Sequence, residues 1–399
     1  MSSFLEGVRV VSLATGIAGP NAARALANYG AEVFKIESRA GGLDAFRSYG
    51  DNPDASPRFV EVNLNTRSVT LNLKQPAGIE LVKELIGKSD VVMENFRPNV
   101  MPRLGLGPDA LLAAKPDLIV VRMPGLGSTG PLSHYGTWGP TLTAYSGLTY
   151  LWNHPNQDRP TGSQGVYPDY LTGVMAPLAV VAALLRRRRT GVGALLDLAQ
   201  VEAAAYMLGT TFLDATVNGR DATPAGNDWP YAAPHNCYPC RGEDRWCVIA
   251  VETDEQWLRL SNAMARSDLA TDPRFATFSL RRRHLEALDE LISVWTAERD
   301  AFEIMRQLQE LGVPCGVVQS GGDLAADPHL KARGFIETVH HPVLGDVAMA
   351  GLPLHFKAGG AEPFRSPPSL GADNEYAVCE VLGHSRDELE RWQREQVVY

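Results

Sequence analysis

The sequence predicts an α/β protein: an open, Rossmann-like parallel sheet with helices on both faces, together with a smaller α+β domain. Three observations predict it. Short apolar strands alternate with helices through the first third of the chain. A stretch rich in Gly, Pro, Asn and Asp, residues 218–234, interrupts that rhythm. Beyond it the pattern becomes a hairpin followed by several helices, the signature of an α+β unit rather than of further βα repeats.

The elements follow in order. Val8–Leu13 (VRVVSL) reads as a buried strand, Gly16, Gly19 and Pro20 as a turn, and Asn21–Tyr29 as a helix. Ala31–Ile36 is the next strand, completing a parallel βαβ unit. The order repeats with strands at Val69–Leu73, Asp90–Met93 and Leu118–Arg122 and a helix at Pro76–Ile86. Residues 125–131 (GLGSTGP) are turn-formers. Thr141–Leu151 is helical or irregular, and Trp152–Gly165 is a loop. A long apolar helix follows Asp169 and ends at Thr190-Gly191, where Arg186–Arg189 complement the helix dipole. Tyr238–Cys240 and Trp246–Val251 form a hairpin, and helices are expected at 254–265, 284–297 and 301–311. A strand at Val313–Val318, a helical stretch at Leu324–Arg333, strands within Phe335–Phe356 and a last helix at Asn374–Leu382 complete the chain.

The totals narrow the function. Of 399 residues, 45% are hydrophobic and 21% charged, enough to bury a large core. The net charge of −9 argues against nucleic acid and anionic membrane as partners. Five cysteines, sparse and odd in number, do not make a disulfide framework. The opening MSSFLEGVRVVSL lacks the basic and apolar segments of a secretory leader. The apolar run Gly173–Leu185 is shorter than the roughly 18 residues that span a bilayer. A soluble, cytoplasmic protein is expected.

Candidate chemistry narrows residue by residue. The first glycine turn lacks the spacing of a dinucleotide loop, and Glu37, which could mimic a ribose-binding acid, stands beside Lys35 and Arg39. His235, Cys237, Cys240 and Cys247 crowd too tightly for a zinc site, so no metal is expected. His340 and His341 have no acid or thiol near them in sequence and read as structural. No nucleophile elbow appears. Asp169 remains. An Asp after a proline at a helix start is by rule a helix cap. The same setting suits a nucleophile: the helix N-terminus favours a carboxylate, which needs no general base at neutral pH.

Several segments, in this order, resemble the class III CoA-transferases, the CaiB/BaiF type that includes formyl-CoA transferase. They are Gly7–Val10 with Ala18–Pro20, Tyr29–Glu37, Leu64–Leu71, Asp90–Pro98 with Arg103–Gly105, Tyr167–Asp169, Gly312–Cys315, and Asp327–Leu330 with Arg333–Phe335. The resemblance implies a large domain made of both chain ends and a smaller inserted one. The boundaries would be 1–215 for the first part of the large domain, 216–235 for a linker or active-site loop, 236–322 for the small domain and 323–399 for the return. It also implies an interlocked homodimer, or a heteromer with a related chain.

By the same resemblance Asp169 is the catalytic nucleophile, acyl-CoA and a small carboxylic acid are the substrates, and no cofactor is bound permanently. Coenzyme A would be held by Arg39, Arg67, Lys74, Asn95, Arg97 and Arg103, with backbone N–H groups near Ala18 and Gly125 facing the thioester oxygen. Ile17, Trp138, Tyr145 and His235 are candidates for the acyl pocket, as are Trp152 and Trp229. Ile17 stands where some relatives carry Gln, and Ala225–Tyr238 lacks the glycine run of formyl-CoA transferases, which argues against a formyl/oxalate pair. The nearest rival is a 2-methylacyl-CoA racemase, which needs a histidine opposite the aspartate; Trp138 stands at that position, with His134 four residues away. A non-catalytic partner subunit and a nicotinamide oxidoreductase are the remaining rivals.

Overall fold

A computed structural model describes residues 3–49, 51–160, 165–357, 360 and 363–399. The chain forms two compact units: Met1–Thr149 with Ser163–Ala222 and His329–Tyr399, and Tyr150–Gly162 with Thr223–Pro328.

The first unit is built on a six-stranded parallel sheet of β1 (Arg9–Ser12), β2 (Glu32–Glu37), β3 (Arg67–Thr70), β4 (Val91–Glu94), β5 (Ile119–Arg122) and β6 (Ala194–Asp197). Their order is β3-β2-β1-β4-β5-β6. That order reverses between β1 and β4, and in open α/β sheets ligands bind outside the carboxyl ends of the strands at such a reversal. β6 is a correction to the sequence reading. Its four residues, ALLD, alternate between half-buried and exposed, so they lack the apolar run that marked the other strands.

Both sheet faces are buried, as parallel sheets require. Because strand side chains alternate, Val10, Val33, Val91, Ile119 and Val121 face one side. There they meet α1 (Ala18–Asn28) and the long helix introduced below. Val11, Phe34, Ile36, Val69, Val92 and Val120 face the other side, against α3 (Pro76–Gly87) and the tail of the chain. Between β2 and β3 lies α2 (Pro57–Val62), anchored by the buried Phe59, Val60 and Val62.

After β5 comes α4 (Gly139–Tyr145), then α5 (Tyr167–Thr190). At 24 residues α5 is longer than the apolar run suggested, and long and apolar enough to cross a bilayer. In this unit it lies along α1. Gly173 permits the close approach: a Cβ there would sit 2.4 Å from Asn21 Nδ2. Its end matches the expectation, with Gly191 in the left-handed cap conformation and Arg187 on Asp90 at 2.6 Å. The chain's return to this unit is fixed to β3: Asp373 accepts from the Ser68 N–H (2.9 Å) and Asn374 from the Thr70 N–H (2.8 Å). A further helix over Arg386–Arg394, absent from the sequence reading, follows.

The second unit holds the antiparallel sheet β7 (His235–Pro239), β8 (Trp246–Ala250) and β9 (Cys315–Val317), covered by helices Asp254–Ala263, Leu285–Ala297 and Ala301–Glu310. Residues 223–235, expected as part of a linker, instead pack into this unit. Ala232 and Ala233 are buried, Ala233 exchanges backbone bonds with the Val251 region, and its carbonyl accepts from Arg281. The loop expected at 152–165 also belongs here as far as residue 160; residues 161–164 lie outside the described residues. The return to the first unit begins at His329 rather than at 323. Cys247 is buried and hydrogen-bonded to Cys315, which holds its thiol far above the ordinary range. Among the described residues no group of three or more His, Cys, Asp or Glu is arranged to hold a metal ion.

Candidate active site

The turns after β1, β4 and β5 open on one cleft of about 920 Å³ in the first unit. Thr15–Ile17 follow β1, Asn95–Arg97 follow β4, and Pro124–Gly125 follow β5. These turns are pinned by side chains. Asn95 bridges the first two, accepting from the Thr15 N–H at 2.9 Å and donating to the Thr15 carbonyl at 2.7 Å. Lys35 donates to the Ala14 carbonyl (3.1 Å) and pairs with buried Asp44 (2.6 Å). The Thr15 hydroxyl accepts from the Ala45 N–H at 3.0 Å. Glu37 is fully occupied: Arg47 grips both of its oxygens at 2.8 Å and the Asp44 N–H donates to one of them. It therefore has no free oxygen for a ribose, and a nicotinamide site loses its acid.

Asp169 lines this cleft from the first turn of α5. It is not the helix cap that composition favoured: Val166 occupies the cap, and Asp169 is the third residue of the helix. It is buried, with 9% of its surface exposed, and burial pushes its carboxyl up from the ordinary 3.8 to about 6. The backbone N–H of Asp169 itself and that of Ala18, the first residue of α1, pull the other way. Two helix N-termini thus face one carboxylate, each favouring its charge, yet desolvation outweighs both.

The two carboxylate oxygens differ. Oδ2 is buried and has no hydrogen-bond partner among the described residues. It lies against Gly139, the first residue of α4, where a Cβ would come within 2.4 Å of it. Oδ1 is the oxygen left to the N–H groups. A buried oxygen without a partner costs stability, and such exceptions concentrate at functional sites.

The sequence-derived residues divide. Asp169, Ile17, Asn95, Arg97, Gly125 and Trp138 line the cleft, with Ala18 directly behind. Gly125 is required by sterics, since a Cβ there would lie 1.9 Å from Thr137 Oγ1. Arg97 is exposed, rests against Gly136 and has no ion-pair partner among the described residues. Arg39 and Lys74 are exposed at the carboxyl ends of β2 and β3, with Lys74 Nζ near Gly41, and outside the cleft lining. Arg103 is exposed at the end of a short helix, Val100–Arg103, also outside the lining. Tyr145 is exposed at the end of α4 and does not line the cleft. His235 lies in the second unit, its Nδ1 2.7 Å from the Asn227 carbonyl; Trp152 and Trp229 are in that unit too.

Arg67 is a correction. It opens β3, at the amino edge of the sheet, and is held by Glu32 (3.3 Å), Asp373 (3.0 Å) and the face of the Tyr376 ring (4.2 Å). The cleft lies at the opposite edge. Among the cleft residues not proposed for the site from the sequence are Arg58, Tyr170, Phe46 and Gly139. Tyr170 follows Asp169 in sequence, the one signal that could have found it. Its hydroxyl donates to Glu61 at 2.9 Å, and burial, with the Glu61 charge second, pushes it up to about 12.

The sequence model of the family described as CoA-transferase family III matches residues 5–374. The chain belongs to CoA-transferase family III. Within it, this CoA-transferase family III chain is 34% identical over 397 residues to the succinyl-CoA–D-citramalate CoA-transferase of Chloroflexus aurantiacus, covering 99% of this chain and 98% of that one. It is 30% identical to the alpha subunit of the succinyl-CoA–L-malate CoA-transferase of Chloroflexus aurantiacus, over 99% of this chain and 92% of that one. Among solved structures, a CAIB/BAIF family protein from Brucella suis matches with a TM-score of 0.88 at 29% identity, covering 96% of this chain and all of that one.

Proposed function

We propose that this chain moves CoA between an acyl-CoA donor, with succinyl-CoA first in line, and a carboxylic acid acceptor, through covalent intermediates on Asp169. The observation that carries the proposal is the pairing of one buried carboxylate oxygen, left without a partner, with a cleft in which no other carboxylate, histidine or thiol lines the wall among the described residues. A carboxylate is the nucleophile such transfer needs. It forms an anhydride, which a thiolate readily opens, whereas a serine would form an ester too stable to return to a thioester.

The Asp169 carboxylate attacks the donor thioester carbonyl and the C–S bond breaks, giving an aspartyl anhydride and CoA thiolate. The thiolate attacks the aspartyl carbonyl, giving an enzyme–CoA thioester and the free donor acid. The acceptor carboxylate then displaces CoA thiolate, and that thiolate attacks the acceptor's carbonyl, returning Asp169 as carboxylate. When thiolate attacks the aspartyl carbonyl, charge develops on the oxygen that the N–H groups of Ala18 and Asp169 face. Ala18 then serves the aspartyl oxygen, and Gly125 remains the candidate for the substrate thioester. Arg97, Arg39 and Lys74, none paired with an acid among the described residues, are the groups proposed for the CoA phosphates.

The racemase reading needs a second acid/base of mid-range pKa on the other face of the substrate. His134 is exposed, set edge-on against Tyr135 with ring centres 4.8 Å apart, and does not line the cleft. A non-catalytic subunit would have no use for the partnerless carboxylate. For assembly we propose the interlocked dimer, with this chain or a related one as partner. Its support is the apolar surface left open on the first unit, with Leu178, Tyr206 and Val217 each more than 70% exposed.

The test is to incubate the protein in heavy water with a panel of acyl-CoAs and acids. New acyl-CoA formed from the added acid, without deuterium at the α-carbon, supports transfer. Deuterium wash-in with no exchange of acids contradicts it.

A further inference from the structure

Arg58 is held more loosely than the buried arginines near the sheet's carboxyl edge. Arg47 is buried and spends its guanidinium on Glu37 and Asp54. Arg122 is bonded to Glu94 and to the Pro98 carbonyl. Arg58 lines the cleft with its side chain 54% exposed, 3.8 Å from Glu61 Oε2 and 3.5 Å from the Tyr170 hydroxyl. Both contacts are at the outer limit of a useful interaction. Glu61 meanwhile accepts a hydrogen bond from the Tyr170 hydroxyl at 2.9 Å, so its charge is already partly met. The backbone beneath Arg58 is firm: Phe59 is fully buried, with the Arg47 guanidinium 3.7 Å from its ring centre, and Val60 and Val62 fill the core.

A fixed helix therefore presents a loosely held cation to the cleft, and the residue it touches, Tyr170, is the neighbour of Asp169. The segments matched to CoA binding do not include Arg58, and Arg97 lies on a different wall, against Gly136. We propose that Arg58 binds the distal carboxylate of a short dicarboxylic acyl group whose thioester carbonyl faces Asp169. The site would then prefer diacids to monoacids of the same length. The inference rests on the CoA-transfer reading of Asp169. Planar guanidinium suits a carboxylate, which it can hold by two parallel hydrogen bonds.

Succinyl-CoA and butyryl-CoA have the same chain length and differ in that terminal group, so the ratio of their kcat/KM values isolates it. In a two-stage exchange kcat/KM for the donor is independent of the acceptor, which removes acceptor binding from the readout. Arg58→Gln should lower the succinyl/butyryl ratio by about 10- to 100-fold, the worth of charge-assisted hydrogen bonds. Arg58→Lys, which keeps the charge, should restore the ratio to within about tenfold of the native one. Hydroxylamine trapping on each protein monitors the underlying chemistry. An unchanged ratio in both variants, with the Asp169 hydroxamate still formed, overturns the role of Arg58 alone. Absence of that hydroxamate from the native protein overturns the reading of Asp169 and this inference with it.

Discussion

The two edges of the parallel sheet differ in how completely their charges are paired. At the amino edge cations meet acids. Arg9 binds Glu32 at 2.8 Å, Arg67 is shared by Glu32 and Asp373, Tyr376 donates to Glu32 at 2.7 Å, and Arg187 closes on Asp90 at 2.6 Å. Glu32 is correspondingly held below the ordinary carboxylate range by its hydrogen bonds and the two arginines, despite burial. At the carboxyl edge Lys35–Asp44, Arg47–Glu37 and Arg122–Glu94 are paired, while three charges that line the cleft stand apart. Asp169 has no cation on it, Arg97 has no acid, and Arg58 is loosely held. The first edge holds the chain's two ends in one unit; the second keeps its cleft-facing charges for something that is not part of the chain. Paired charge marks architecture here, and unpaired charge marks the site.

The contrast meets its hardest test at Asp169. Asp169→Asn should lower transfer by at least about 10⁴-fold, the scale for removing a covalent nucleophile. It should also stabilise the fold. A carboxyl raised from 3.8 to about 6 binds its proton more tightly folded than unfolded, so its contribution is fully present below about pH 4 and is lost as pH rises through about 6. Above that, the buried charge opposes folding by about 3 kcal/mol, and the neutral amide should recover about 1–3 kcal/mol of it at pH 8. Denaturant midpoints at pH 8 measure this. An equal or lower midpoint for the variant contradicts the buried, desolvated charge.

Gly139→Ala comes next. Its Cβ would enter the 2.4 Å space beside Oδ2, and the resulting displacement of the Asp169 carboxylate should cost about 10²-fold in kcat. A kcat within about twofold of native would show that Oδ2 has room to spare. The pH profile gives a smaller effect. Below about pH 6, kcat/KM for the donor should fall tenfold per unit as Asp169 takes up its proton, and above it the profile should level. The smallest contrast is between edges. Arg67→Gln should cost about 1–2 kcal/mol of stability and leave KM for acyl-CoA nearly unchanged, whereas Arg97→Gln should raise that KM by about tenfold with little change in melting. If Arg67→Gln raises KM as Arg97→Gln does, the division between edges fails.

Much of this was legible in the sequence because apolar runs and turn residues act locally. Val10-Val11, Val33-Phe34 and Val91-Val92 announce buried strands by composition alone, and both sheet faces are indeed covered. Short or half-exposed elements were not legible. β6 has too little apolar pattern to stand out, and the 223–235 stretch looks like a linker because its buried apolar residues are alanines and its other contacts are largely polar. The site divided along the same line. Arg97, Asn95 and Gly125 sit in motifs at strand ends and Asp169 in a motif at a helix start, and the topology brings them together. Arg67 sits in an equally good motif, but at the start of its strand rather than the end, and sequence similarity does not say which edge a residue faces. Gly139 and Arg58 matter through what touches them across long stretches of chain, which no local pattern records.

The most direct measurement follows oxygen. The protein is turned over with succinyl-CoA and an acceptor acid labelled in its carboxylate with heavy oxygen, then digested and analysed by mass spectrometry. If transfer runs through an anhydride on Asp169, heavy oxygen from the acceptor appears in the Asp169 side chain and nowhere else in the chain. If the labelled acid becomes acyl-CoA while the Asp169 peptide keeps its ordinary mass, the carboxylate is not the nucleophile and the covalent route through Asp169 is wrong.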